Sequence, residues 1–141
     1  MIFEILNKYK NNYFIFKNSD RLTDVCSAPN LSSGLYIIYA FENGRYNLIY
    51  IGISGRILPN GEFAHRKGGI KGRFLTGKQF GERRQISWSK KMTEEKIDHL
   101  KIHWFITYDD IIKDVPREIE EKLLKEYYTL HGNLPRWNNR F

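Results

Sequence analysis

The sequence predicts an α+β domain, a small three-stranded antiparallel sheet flanked by helices. Two runs rich in β-formers, residues 35–41 and 47–53, flank a Glu-Asn-Gly-Arg segment whose Asn-Gly pair is a hairpin signal. A third run, residues 101–108, sets Ile102, Trp104, Ile106 and Tyr108 on one face with the period of a strand. Between Pro116, a helix-start residue, and Gly132, a C-cap residue, Ile119, Leu123, Tyr127 and Leu130 recur at helical spacing. With 141 residues there is apolar surface for one modest core, so 1–141 reads as a single domain.

Residues 1–33 form an N-terminal extension of mixed character. Within it Tyr13, Phe14, Ile15 and Phe16 cluster as a strand or helix end packed against the core. Residues 27–34, Ser-Ala-Pro-Asn-Leu-Ser-Ser-Gly, read as a loop. In the hairpin, Leu35, Ile37, Tyr39 and Phe41 share one face and Tyr36, Ile38 and Ala40 the other; Tyr50 shares a face with Leu48 and Gly52. Both faces are apolar, so the sheet is covered on both sides or lines a site with one. Residues 54–85 are dense in glycine and basic residues, with 54–72 a basic, Gly-rich insert. A short helix is expected within 70–80, weakened by Gly72 and Gly77. Thr93 reads as an N-cap, with Glu94 and Glu95 in the first turn of a helix.

Composition narrows the partner without naming a reaction. Hydrophobic residues at 41% and aromatics at 15% indicate a folded globule. Lys and Arg number 23 against 16 Asp and Glu, a formal charge of +7 that points to a polyanion, nucleic acid being the commonest. Cys26 is the single cysteine, which excludes an internal disulfide or a cysteine-rich zinc site and fits a reducing compartment. Charges within the first eight residues argue against a signal peptide. No run approaches the roughly 18 apolar residues of a membrane span, so a cytoplasmic chain with no membrane partner is expected.

The pairing of Gly34-Leu35-Tyr36 with Tyr50-Ile51-Gly52 across one hairpin resembles the GIY-YIG nuclease superfamily, with Leu35 where that signature has Ile. Three later features keep the family's order. Ile70-Lys71-Gly72-Arg73-Phe74 has the form of its basic helix, Glu120 precedes a leucine pair on a later helix, and Asn138 follows a proline and an aromatic near the C-terminus. The long gap between Tyr50 and Arg73, and the length of the helix before Pro135, are more like the restriction-enzyme branch. The insert leaves Arg66 as a competitor to Arg73; Glu118 and Glu121 compete with Glu120, and Asn139 with Asn138.

The resemblance implies an α+β nuclease fold and a metal-dependent DNA endonuclease hydrolysing phosphodiester bonds, of restriction type and a possible homodimer. It implies Mg²⁺, or another divalent cation such as Mn²⁺, held by Glu120, since Mg²⁺ needs few protein ligands beside substrate phosphates. Arg73 then offers a fixed cationic fork to the scissile phosphate. Tyr36 takes the role of general base, Tyr50 positions water or phosphate, and Asn138 completes the set. A tyrosine base needs a neighbouring cation or metal-bound water, and His65 or Lys67 is the candidate for that charge. Arg56, His65, Arg66, Lys67, Lys71, Lys78, Arg83 and Arg84 are candidate phosphate contacts. Trp88 and Phe80 are candidates for stacking on bases or, more commonly, for the core, and Trp137 reads as a core plug. His99 and His103, four apart, do not pair as metal ligands because His103 falls on a strand. The competing readings are a DNA-binding module on the same fold without cleavage, or a nuclease acting on RNA or branched DNA.

Overall fold

The protein is described by a computed structural model over residues 3–140. Its main sheet has four strands rather than the expected three, all antiparallel, in the order β1 (Lys10–Phe16), β8 (His99–Tyr108), β2 (Ser33–Glu42), β3 (Arg45–Ser54). The additional strand, β1 (Lys10–Phe16), comes from the N-terminal extension. Its first four residues are exposed and polar or edge-on, while Phe14 and Phe16 are buried. A half-exposed edge strand shows only a fragment of the two-residue period, which is why the sequence signal there is weak.

The hairpin β2 (Ser33–Glu42) and β3 (Arg45–Ser54) forms where expected. Asn43 and Gly44 both take positive φ, 52° and 77°, which a two-residue turn matched to the twist of its strands requires. Pairing is regular from Gly34↔Ser54 to Ile38↔Tyr50, then slips so that Tyr39 faces Leu48. Ile49 is the extra residue of this bulge. The bulge corrects the expected facing: Tyr50 packs with Ile49 against the core holding Tyr36, whereas Leu48 turns to the opposite core.

Beyond the hairpin, β4 (Arg56–Ile57) and β5 (Phe63–Ala64) make a small ribbon within the insert. Helix α2 (Gly69–Thr76) follows, shorter than expected because the chain leaves it at Gly77 for a second ribbon, β6 (Lys78–Gln79) and β7 (Glu82–Arg83). Next comes α3 (Arg84–Glu95), which ends where the sequence suggested a helix start. Thr93 lies in its last turn, its hydroxyl donating to the Ser89 carbonyl at 3.1 Å. The buried stripe of Arg84, Ser87, Trp88 and Met92 lies upstream and decides the matter, since tertiary burial outweighs a local capping preference. Strand β8 (His99–Tyr108) then runs through the middle of the sheet.

Helix α4 (Pro116–His131) has the expected ends, with Gly132 at φ 75° donating its N–H to the Tyr128 carbonyl. Its buried face is narrower than expected: Ile119, Leu123 and Leu124 are buried, and Leu130 is 62% exposed. The sheet is covered on both faces. One core joins Tyr36, Ile38 and Ile49 to Phe74 of α2 and Trp88 and Met92 of α3; the other joins Leu35, Ile37 and Ile51 to α4. Trp88 is thus a core residue, not a base-stacking one, while Phe80 is partly exposed under Lys91. A short α1 (Leu22–Val25) packs beside β1. Among the described residues, no helix is long and apolar enough to cross a membrane.

Gly34 has the least room of any glycine here, since an added Cβ would fall 1.8 Å from the Phe105 carbonyl oxygen. Gly34→Ala should therefore cost about 3 kcal/mol or more in urea unfolding. Gly44→Ala, with open space but φ 77°, should cost only about 1 kcal/mol.

Candidate functional site

Tyr36 stands directly opposite Gly52, and Ile38 opposite Tyr50. A Cβ on Gly52 would lie 2.6 Å from the Tyr36 hydroxyl and 2.6 Å from Cε2 of Tyr50. Only a hydrogen at this position lets both rings lean over the strand. Their centroids are 5.9 Å apart, and Tyr36 meets Phe74 edge-on at 4.6 Å. Tyr36 is wholly buried and Tyr50 half-buried.

The Tyr36 hydroxyl accepts a hydrogen bond from Arg84 at 3.2 Å, and the same guanidinium donates to the Arg73 carbonyl at 2.7 Å. Arg84, expected on the surface as a phosphate contact, is fully buried. It is also the cation that reaches Tyr36: His65 instead engages Ser33 Oγ at 2.6 Å, and Lys67 is exposed. Gly77 leaves space for this, as a Cβ there would sit 2.5 Å from Nη1 of Arg84. The missed signal is the i, i+3, i+4 spacing of Arg84, Ser87 and Trp88, which puts Arg84 on the buried face of α3.

On the Tyr50 side lies a cavity of about 220 Å³ lined by Tyr50, Ile53, Arg73, Arg117 and Glu120, with Asn138, Asn139 and Arg140 from the tail. Four elements distant in sequence meet here. Glu120 is its one carboxylate; Glu118 is exposed and Glu121 pairs with Arg117 at 3.3 Å. Burial pushes the Glu120 carboxyl up to about 7, Arg117 and Arg73 oppose the rise, and Glu121 adds to it. A charge on Tyr36, followed by burial, pushes the Tyr50 hydroxyl above the ordinary tyrosine range against Arg84 and Arg73. Arg73 lines this cavity and Arg66 does not, so the geometry joins Arg73 to Glu120. Arg117 and Arg140 were not anticipated, although Arg117 lies one turn before Glu120 on α4, while Asn139, the competitor to Asn138, lines the same cavity.

Asn138 acts on the backbone. Its Oδ1 accepts from the Ile51 N–H and its Nδ2 donates to the Ile51 carbonyl, both at 3.0 Å. The Trp137 N–H takes the Ile49 carbonyl at the bulge, at 2.8 Å. The tail thus covers the free edge of β3 and holds Tyr50-Ile51-Gly52 in place. Arg136 secures it by bonding Glu42 at 2.6 Å and Glu95 at 3.0 Å. Trp137 is buried as expected, and its ring N–H donates to Glu95.

The other basic candidates are spread around the insert. Arg56, His65 and Arg66 line a separate cavity that shares Arg73. Arg66, Lys67 and Lys71 line a groove beside α2, and Lys78 and Arg83 pair across the β6–β7 ribbon. No ion pair engages these side chains among the described residues. His99 and His103 stay apart as expected, bonded to Asp98 and Tyr46 and to Asn11 respectively.

Among the described residues no group of three or more His, Cys, Asp or Glu gathers for a metal. A lone half-buried carboxylate does not suit zinc or calcium, but it fits a hydrated Mg²⁺ completed by substrate oxygens. Arg73, Arg117 and Arg140 beside it disfavour a bare cation until an anion arrives. Compared with protein-family models, curated proteins and solved structures, the chain matches none.

The raised Glu120 carboxyl has a measurable consequence for folding. Its stabilising contribution is complete below the unfolded-state value near 4.5 and is lost as pH rises towards about 7. Glu120→Gln should therefore gain stability over the parent between these limits and keep a constant advantage above pH 7, read from urea midpoints across pH.

Proposed function

We propose that this chain is a metal-dependent DNA endonuclease of the GIY-YIG type, hydrolysing phosphodiester bonds. The observation that carries the reading is the single cavity where Tyr50, Arg73, Glu120 and the Asn138 tail meet, with Tyr36 and Arg84 directly behind. Of the residues named by resemblance, Tyr50, Arg73, Glu120 and Asn138 line this pocket, whose surplus of cations calls for an anion.

Each side chain then has a task. Arg73 presents donors to the phosphoryl oxygens where negative charge grows during attack. Arg84 donates to the Tyr36 oxygen and sets positive charge beside it; that oxygen takes a proton from the attacking water only as phenolate, once its own proton has passed to water. Full burial of Tyr36 means that such a water must lie inside, beside Tyr50. Tyr50, whose hydroxyl is pushed up, keeps its proton and donates to water or phosphate. Asn138 holds the strand that carries Tyr50. Glu120 is the residue to hold Mg²⁺, or Mn²⁺ in its place, and a bound ion there would supply Lewis-acid stabilisation of the phosphoryl group. Restriction-type cutting of both strands calls for a homodimer matching a palindromic site.

Plasmid DNA incubated with Mg²⁺ should give discrete fragments, and Glu120→Gln should lower the rate at least about 100-fold. A smear would point to nonspecific cutting, and binding without cutting in both proteins would make the domain a binding module. Parallel RNA and branched-DNA substrates test the remaining specificities. At limiting Mg²⁺, the rate should rise with pH through about 7, because Glu120 must lose its proton to hold the metal. Raising Mg²⁺ should move that rise to lower pH.

A further inference from the structure

We propose that the arginine-lined cavity on the other side of Arg73 is a second phosphate subsite. It takes the backbone phosphodiester next to the one in the Glu120 cavity, and rests on the nuclease reading for the identity of that strand. The cavity encloses about 510 Å³, and Ile53 and Arg73 form a wall common to both. Two anion positions on either side of one arginine are what consecutive phosphates of a single strand present.

Arg56, His65, Arg66 and Arg73 line the cavity and no carboxylate does. None of the three arginines makes an ion pair among the described residues. Asp109, whose charge reaches His65, is already bonded by the N–H groups of Ile111 and Ile112 at 2.8 Å. Nε of Arg66 and Nε of Arg73 are buried without a hydrogen-bond partner. Buried donors left unpaired are costly, and both belong to side chains that line this cavity, where an added negative charge offsets the burial of their positive charge. Burial, then Arg73 and Arg84, bear against the charge on Arg66, as expected of cations held together without a counter-ion.

The walls are preformed. Arg66 is tethered to Thr76 Oγ1 at 3.2 Å, and His65 is held through Nδ1 by the buried Ser33, leaving Nε2 free of that bond. Phe63 stacks on Tyr108 at 3.7 Å and meets His65 edge-on at 5.2 Å, which docks the insert ribbon on the sheet. Gly55, at φ 97°, has no room for a Cβ beside Phe63 and Ser33, so backbone forms that wall. Arginine forks match phosphate oxygens, and contacts to phosphate carry no sequence information.

The test is DNA binding in EDTA, where no cutting occurs, followed by anisotropy of a labelled duplex over a range of KCl. Arg66→Met should weaken binding about tenfold and lower the slope of log affinity against log salt by about one. Lys125→Met removes an equal charge from the exposed side of α4 and should do neither. Arg56→Met, at an exposed position where folding is not at stake, should lower the slope in the same way. Equal effects of Arg66→Met and Lys125→Met, with Arg56→Met like the parent, would overturn the proposal. Loss of the arginine dependence while the parent still cuts plasmid removes the subsite alone. Retention of it by a parent that never cuts leaves the subsite standing and removes the nuclease reading.

Discussion

The ring of Tyr36 lies across Gly52, and much of the molecule is arranged around that contact. Antiparallel pairing puts the two residues opposite each other, and the missing Cβ lets both tyrosine rings occupy one place above the strand. Phe74 closes the pocket from α2, and Arg84 reaches in from α3 to the hydroxyl. The bulge at Ile49 then turns Tyr50 towards the same core, and Asn138 and Trp137 hold the freed edge of the strand. A shift of one residue in the β2–β3 register would send Tyr36 to the opposite face and dissolve all of these contacts together.

Charge is distributed against ordinary expectation. Arg84 is fully buried with a hydroxyl and a carbonyl for partners, while Arg66 and Arg73 keep buried donors unpaired. Glu120, the lone carboxylate of its cavity, is held partly protonated near neutral pH by burial. Elsewhere the chain pairs its charges in the usual way, as with Arg136 on Glu42 and Glu95. Cationic donors buried without a partner reduce stability, and those of Arg66 and Arg73 belong to side chains lining the cavity where the proposed substrate would bring a phosphate.

The hairpin, its Asn-Gly turn, the third strand and both ends of α4 were legible because each depends on local rules: two-residue alternation, a turn demanding positive φ, and Pro and Gly as helix punctuation. The fourth strand was not, because an edge strand with half its residues in water hardly alternates. The end of α3 was misread because Thr93 followed by two glutamates satisfies a capping preference that burial of Trp88 and Met92 overrides. Within the site, Tyr36, Tyr50, Arg73, Glu120 and Asn138 were named from the resemblance of their motifs, and of the order of those motifs, to a known nuclease pattern. The choice of Glu120 over its neighbours was legible from its place beside Ile119, at the border of the buried stripe.

What the sequence by itself determined is the set of elements and the chemistry available to them, since periodicity, turn residues and side-chain types are properties of short stretches. Tertiary structure alone decided which groups meet. The spacing of Arg84 with Ser87 and Trp88 signals a buried face, but only the packing of α3 against the sheet turns its guanidinium to Tyr36. Arg66 competes with Arg73 in the sequence, and only the fold sets Arg73 beside Glu120. Asn138 lies 87 residues from Ile51, yet its amide clamps that residue's backbone. These relations depend on contacts between distant parts of the chain, which no local pattern records.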